Sequence, residues 1–179
     1  MKNLLALIIC SISLLGNLKA QTYPSLNINL LAHLDPETDT TGSEIGPNKR
    51  QYSGCWGWYQ ATKNKEYAIV GTSSKTYFID VTNPTAPIIC DSVKAAKNGC
   101  TWREIKNYQN YCYIVSDDNP PNTFQIVDMQ YLPDSVHVVH NGTTYFERSH
   151  TIFVDHDRLY CGHQKMWLLV MNRQCAFIV

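Results

Sequence analysis

The feature that most constrains this chain is a pattern that returns at intervals in the mid-forties. Residues 102–115, WREIKNYQNYCYIV, and 149–162, SHTIFVDHDRLYCG, set Ile105 and Tyr113 against Ile152 and Tyr160 at an offset of 47. Ile69-Val70 matches Ile114-Val115 at 45, and Ile79-Asp80 matches Val127-Asp128 at 48. Each unit reads as a strand ending in an aromatic-aliphatic pair, a polar turn, and a second strand closing on Asp. A Pro-containing turn and a third strand follow. One such sheet has two apolar faces and cannot bury both alone, so a neighbour stacked on it supplies the core. A spacing of about 45 residues is what one four-stranded β-propeller blade occupies.

The local pattern agrees. Short β-branched and aromatic runs occupy 66–71, 76–81, 86–93, 111–116, 123–129, 134–140, 150–155 and 158–163, with SSK, TNPT, DDNPPN, YLPD and HDR between them. Strands this short with turns this frequent predict antiparallel pairing rather than βαβ units. After residue 21 no ten-residue stretch carries helical i, i+3, i+4, i+7 apolar spacing. The expected fold class is all-β: antiparallel β-propeller-like blades, incomplete in this chain.

Four segments are expected. Residues 1–20 read as a secretory signal peptide, with Lys2 ahead of an apolar run from Leu4 to Leu15 and a small residue, Ala20, at the cleavable end. Residues 21–50 form a lead-in whose second part, DPETDTTGSEIGPNKR, has almost nothing to bury. Residues 51–165 carry the repeat, about two and a half blades, and 166–179, MWLLVMNRQCAFIV, form an atypical apolar tail too short for a bilayer helix. No transmembrane span is expected after signal cleavage. Removing 20 of 179 residues leaves 159, fewer than the four or more blades of a propeller require. The reading is therefore of a truncated propeller, poorly soluble alone because a sheet face lacks its cover.

Charge excludes some partners. Fifteen basic and fifteen acidic residues give zero formal net charge with no run of either sign. No nucleic-acid footprint or membrane-surface patch is expected. Six cysteines lie beyond the signal segment: Cys55, Cys90, Cys100, Cys112, Cys161 and Cys175. An even count in an exported chain permits three disulfides, with Cys55 and Cys100 as candidates, and no pair has zinc-finger spacing.

Candidate chemistry is sparse. His137, His140, His150, His156 and His163 fall within 27 residues, near Asp155 and Asp157. Imidazole and carboxylate suit zinc or iron, yet His137 and His140 differ by an odd number and face opposite sides of a strand. His156 belongs to a turn. DDNPPN (117–122) has carboxylates that suit hard cations but lacks the calcium-loop cadence. Asp117, Asp118, Asp155 and His156 are weak metal candidates, and neither metal nor cofactor is expected. Asp80 and Asp128 recur at one position per unit, which favours a carboxylate accepting backbone N–H groups of the following turn over a catalytic role. His150, Arg103 and Trp58 match at the start of successive units and are candidates for lining a central channel. GTSSKT (71–76) reads as a hairpin turn, and no G-x-S-x-G nucleophile elbow occurs.

The stretches WGWYQATKNKEYAIVGTSSKTYFIDVTNPTAPI (56–88), WREIKNYQNYCYIVSD (102–117), FQIVDMQYL (124–132) and RSHTIFVD…LYCG (148–162) together resemble the choice-of-anchor B family. These are exported proteins of LVIVD-type repeats, similar to β-propellers. The resemblance spans about residues 50–165 and implies a secreted or cell-surface location with no catalytic residues to carry over. The resulting expectation is a non-enzymatic binding module for an unknown extracellular ligand. The alternative is a hydrolase or lyase with its site at the channel mouth.

Overall fold

The computed structural model describes residues 26–36, 52–96, 99–100, 102–118, 122–162, 168–172 and 177–178. The expected signal peptide, 1–20, lies outside the described residues. Among the described residues twelve strands form three antiparallel sheets, and no sheet closes on itself. The first contains β1 (Tyr52–Gln60), β2 (Lys65–Thr72), β3 (Lys75–Asp80) and β4 (Ile88–Lys94) in that order. The second contains β5 (Arg103–Tyr108), β6 (Tyr111–Ser116), β7 (Phe124–Asp128) and β8 (His137–Gly142). In the third, β9 (Thr151–Asp155) pairs with β10 (Arg158–Gly162), followed by β11 (Leu168–Asn172) and β12 (Phe177–Ile178). Among the described residues no helix is long and apolar enough to cross a membrane.

The turns explain why each chain reversal is tight. The first hairpin of each sheet carries one non-glycine residue in the left-handed region: Asn64 (φ 52°), Gln109 (φ 52°) and His156 (φ 54°). Asn and His tolerate that region better than β-branched residues do. After the third strand of the first two sheets the predicted Asp role is present. Asp80 Oδ1 accepts Thr82 N–H at 2.9 Å, and Asp128 Oδ1 accepts Gln130 N–H at 2.9 Å. Each carboxylate thus turns the chain out of the third strand of its sheet.

Period-2 alternation then divides side chains between neighbours. Tyr67 and Ile69 of β2 and Phe78 of β3 join Ile105, Cys112, Ile114 and Val127 of the second sheet in one core cluster. The opposite face of the second sheet, with Val115, Phe124 and Ile126, meets Ile152, Leu159 and Cys161 of the third. Removing a Val, Ile or Phe side chain from water contributes about 1.5–3 kcal/mol, so these two interlayers dominate stability. The first strands run side by side as well, β1 against β5 and β5 against β9.

Two strands stand outside the runs read from the sequence. They are β1, YSGCWGWYQ, and β5, REIKNY, the first strands of their sheets. β5 has one aliphatic residue, Ile105, and the aromatic residues of β1 are interrupted by two glycines, so neither shows the β-branched alternation of the other strands. Part of the segment read as a tail is also paired: β11 continues the sheet at β10, with Tyr160 opposite Val170.

Candidate functional site: a polar cluster where the first strands begin

The end of the molecule where β5 begins gathers polar groups from all three sheets. Ser53 Oγ of β1 accepts the Arg103 backbone N–H at 3.1 Å. The Arg103 guanidinium donates from Nη1 to Thr76 Oγ1 of β3 at 3.0 Å. Ser149 N–H donates to Ser116 O at 3.2 Å, tying the approach to β9 onto the end of β6. His150 Nδ1 lies 2.5 Å from Asp117 Oδ2.

Glycine makes the close approach of β1 and β5 feasible. A Cβ at Gly54, whose φ is +73°, would stand 2.6 Å from Arg103 O. A Cβ at Gly71 would collide with Ser53 O and stand 3.0 Å from Arg103 Cδ. Arg103 is consequently 6 % exposed, and burial pushes its pKa down, opposed by the nearby Cys100 and Asp118. Around it, Ser116 Oγ donates to Asp118 Oδ2 at 2.8 Å and the Trp102 N–H to the same oxygen at 3.0 Å. Cys100 Sγ donates to Asn122 Oδ1 at 3.3 Å.

The three residues matched at unit starts separate. Arg103 opens β5 and His150 directly precedes β9, so these two belong to the cluster. Trp58 does not. It sits near the far end of β1, buried and stacked on Tyr67 at 5.5 Å, with its indole N–H donating to Gln109 O at 2.8 Å. The turn between β1 and β2 (61–64) is longer than that between β5 and β6 (109–110), so a count along the chain misplaces Trp58. Arg103, expected to line an open channel, is instead wedged between sheets. His150 is the exposed member, its side chain 65 % accessible.

The weak metal candidates are otherwise engaged. Asp117 meets His150, and Asp118 is held by Ser116 and Trp102. Asp155 Oδ1 and His156 Nδ1 form an exposed pair at 2.7 Å. Among the described residues no three His, Cys, Asp or Glu side chains converge to hold a metal ion. His137 and His140 do part company: His137 stacks on Tyr131 at 4.4 Å, whereas His140 packs against Phe124 and Tyr145.

Cys55 and Cys100, the candidate disulfide cysteines, are not bridged to each other. Cys55 is exposed on β1, whereas Cys100 is buried against Asn122. Cys90, Cys112 and Cys161 are unbridged too. Burial pushes the Cys161 thiol up to about 12 and the Cys112 thiol further, so neither supplies a thiolate at neutral pH.

Sequence reasoning missed Asp117 as the partner of His150, and Thr76 and Ser53 as partners of Arg103. None of the three lies near its partner in sequence. Compared with known proteins, the chain matches no family model and has no significant match among curated proteins.

Proposed function

We propose that this protein is an exported binding module of β-propeller type, in which the three sheets are successive blades of a repeat about 45 residues long. The order of the strands and the side-by-side placement of β1, β5 and β9 support that reading, since first strands line the axis of a propeller. The resemblance to choice-of-anchor B proteins points the same way and implies a secreted or cell-surface location. The observation that carries the binding reading is the cluster itself. Ser53, Arg103, Asp117 and His150 come from three different sheets to one end of the first strands, with His150 and Trp102 presented to solvent. Sites built where several sheets meet are the usual place for a ligand on such architectures.

Glycan and peptide arrays probed with the folded chain test this. Binding should appear for one ligand class and fall at least tenfold in a Trp102→Ala, His150→Ala double variant that retains its circular-dichroism spectrum. Array signals that the double variant leaves unchanged remove the cluster from the function.

One observation favours the second reading, a hydrolase or lyase. Asp117 orients His150 through Nδ1, which leaves Nε2 facing outward, an arrangement suited to a general base. A broad hydrolase screen of the wild type decides: a turnover abolished by His150→Ala replaces the binding-module reading.

A further inference from the structure

Residues 28–34, INLLAHL, carry the alternation of a strand. In an extended chain Ile28, Leu30, Ala32 and Leu34 fall on one side, with Asn29 and His33 on the other. Yet among the described residues this stretch belongs to none of the three sheets. Its apolar side is uncovered. Ile28 is 74 % exposed, and Leu30 and Leu34 are exposed too, whereas Ile69 and Ile114, within strands, are buried. Just beyond, Tyr52 OH donates to the Asp35 carboxylate, which ties this end of the stretch to the start of β1. A contiguous exposed apolar strip marks an interaction surface. One with the pattern of a strand is completed by an open sheet edge, which supplies main-chain hydrogen bonds.

The outermost strands β4 and β8 each present such an edge. Both expose aliphatic side chains, Ile88 and Ile89 on β4 and Val138 and Val139 on β8. Both also carry one bulge against the strand inside them. Charge separates the two. β4 contains Asp91 and Lys94 and follows Pro87, devices that keep a sheet edge from pairing. β8, HVVHNG, contains no Asp, Glu, Lys, Arg or Pro, and neither does the stretch 28–34. Setting one beside the other therefore joins two apolar surfaces and buries no carboxylate, ammonium or guanidinium. Their lengths match to within one residue.

We propose that residues 28–34 of one copy of this chain add as a strand to the β8 edge of a second copy, and that the exchange is reciprocal. Within one chain neither the stretch nor the outer edge of β8 is paired among the described residues. Two copies complete both. Reciprocal exchange closes into a two-fold dimer, where one-way addition runs on as a filament. This inference is independent of the binding-module reading.

Sedimentation of the full chain tests it. The wild type should form a dimer, and hydrogen exchange should show the amides of 28–34 and 137–142 becoming protected together as concentration rises. Leu30→Asp places a charge on the apolar strip, and Val139→Lys places one on the edge. Both side chains are exposed, so each variant should keep its circular-dichroism spectrum. Each should weaken dimerisation by about tenfold or more, and Ile89→Lys on β4 should leave it unchanged. A wild type that stays monomeric, a dimer that survives either Leu30→Asp or Val139→Lys, or one that Ile89→Lys disrupts overturns the proposal. So does protection of 28–34 that is independent of concentration, which assigns the stretch to its own chain's sheet. Assembly beyond a dimer overturns the reciprocal exchange.

Discussion

Val70 and Val115 occupy matched positions in β2 and β6, yet one is half-buried and the other 1 % exposed. Their neighbours Ile69 and Ile114 differ little, at 0 % and 2 %. The isoleucines both point into the interlayer between the first and second sheets. The valines point the other way: Val115 meets the third sheet, while Val70 belongs to neither core cluster. The same local sequence is thus half-buried at Val70 in the first sheet and fully buried at Val115 in the second, although Tyr77 and Ile79 of β3, on the Val70 face, are buried. Burial in this fold belongs to the neighbour as much as to the residue.

That comparison can be broken most forcefully at Phe124. Its side chain is fully buried and touches Tyr113, His140, Tyr145 and Phe146, with ring centroids 5.0–6.2 Å away. Phe124→Ala should destabilise by about 4 kcal/mol, read as a lower urea midpoint. Phe153 of the third sheet, 62 % exposed, should change stability by less than about 0.5 kcal/mol on the same substitution. Similar losses at both positions would mean that the outward face of the third sheet is covered.

Next in size, Gly71→Ala forces β1 away from β2 at Ser53 O and should cost about 2 kcal/mol. Gly57→Ala on β1 meets nothing within 4 Å and should stay within about 0.5 kcal/mol. The matched valines sharpen the contrast directly. Val115→Ala should lose about 2 kcal/mol and Val70→Ala about half as much, by the area each removes from water. Equal losses would show that the cover that buries Tyr77 and Ile79 extends over Val70.

The smallest effect concerns the matched aspartates. Burial alone would raise the Asp80 pKa, but hydrogen bonds from Lys65 Nζ and from Thr82 bring it below the ordinary carboxylate value. A folded-state pKa that is lowered stabilises above the unfolded value of about 3.9, and the benefit fades as pH falls through the folded value. Asp80→Asn should therefore flatten the acid limb of the stability profile. The change should stay under about 1 kcal/mol, because Lys65 is one-third exposed and solvent screens the pair. An acid limb of unchanged slope would assign that pH dependence to other carboxylates.

Much of the architecture was legible because it is written in local alternation. The runs at EYAIVG, TYFIDV, YCYIVS and FQIVD contain enough β-branched and aromatic residues to identify β2, β3, β6 and β7. The paired turns at Asp80 and Asp128 were legible for the same reason, since a carboxylate two residues before its donor is a short-range device. β1 and β5 were not. Their partners are other sheets, so glycine and charged residues replace the apolar alternation that marks a strand.

The cluster shows the division most clearly. Sequence by itself determined the strands, the turns and the recurrence of Ile69 with Ile114, because each depends on residues only a few positions apart. Only the tertiary structure decided that Trp58 is core, that Arg103 is buried beneath Gly71, and that Asp117 meets His150 across 33 residues. Those outcomes depend on how one sheet is set against the next. A turn between β1 and β2 longer than that between β5 and β6 moves Trp58 in the count without altering any strand propensity.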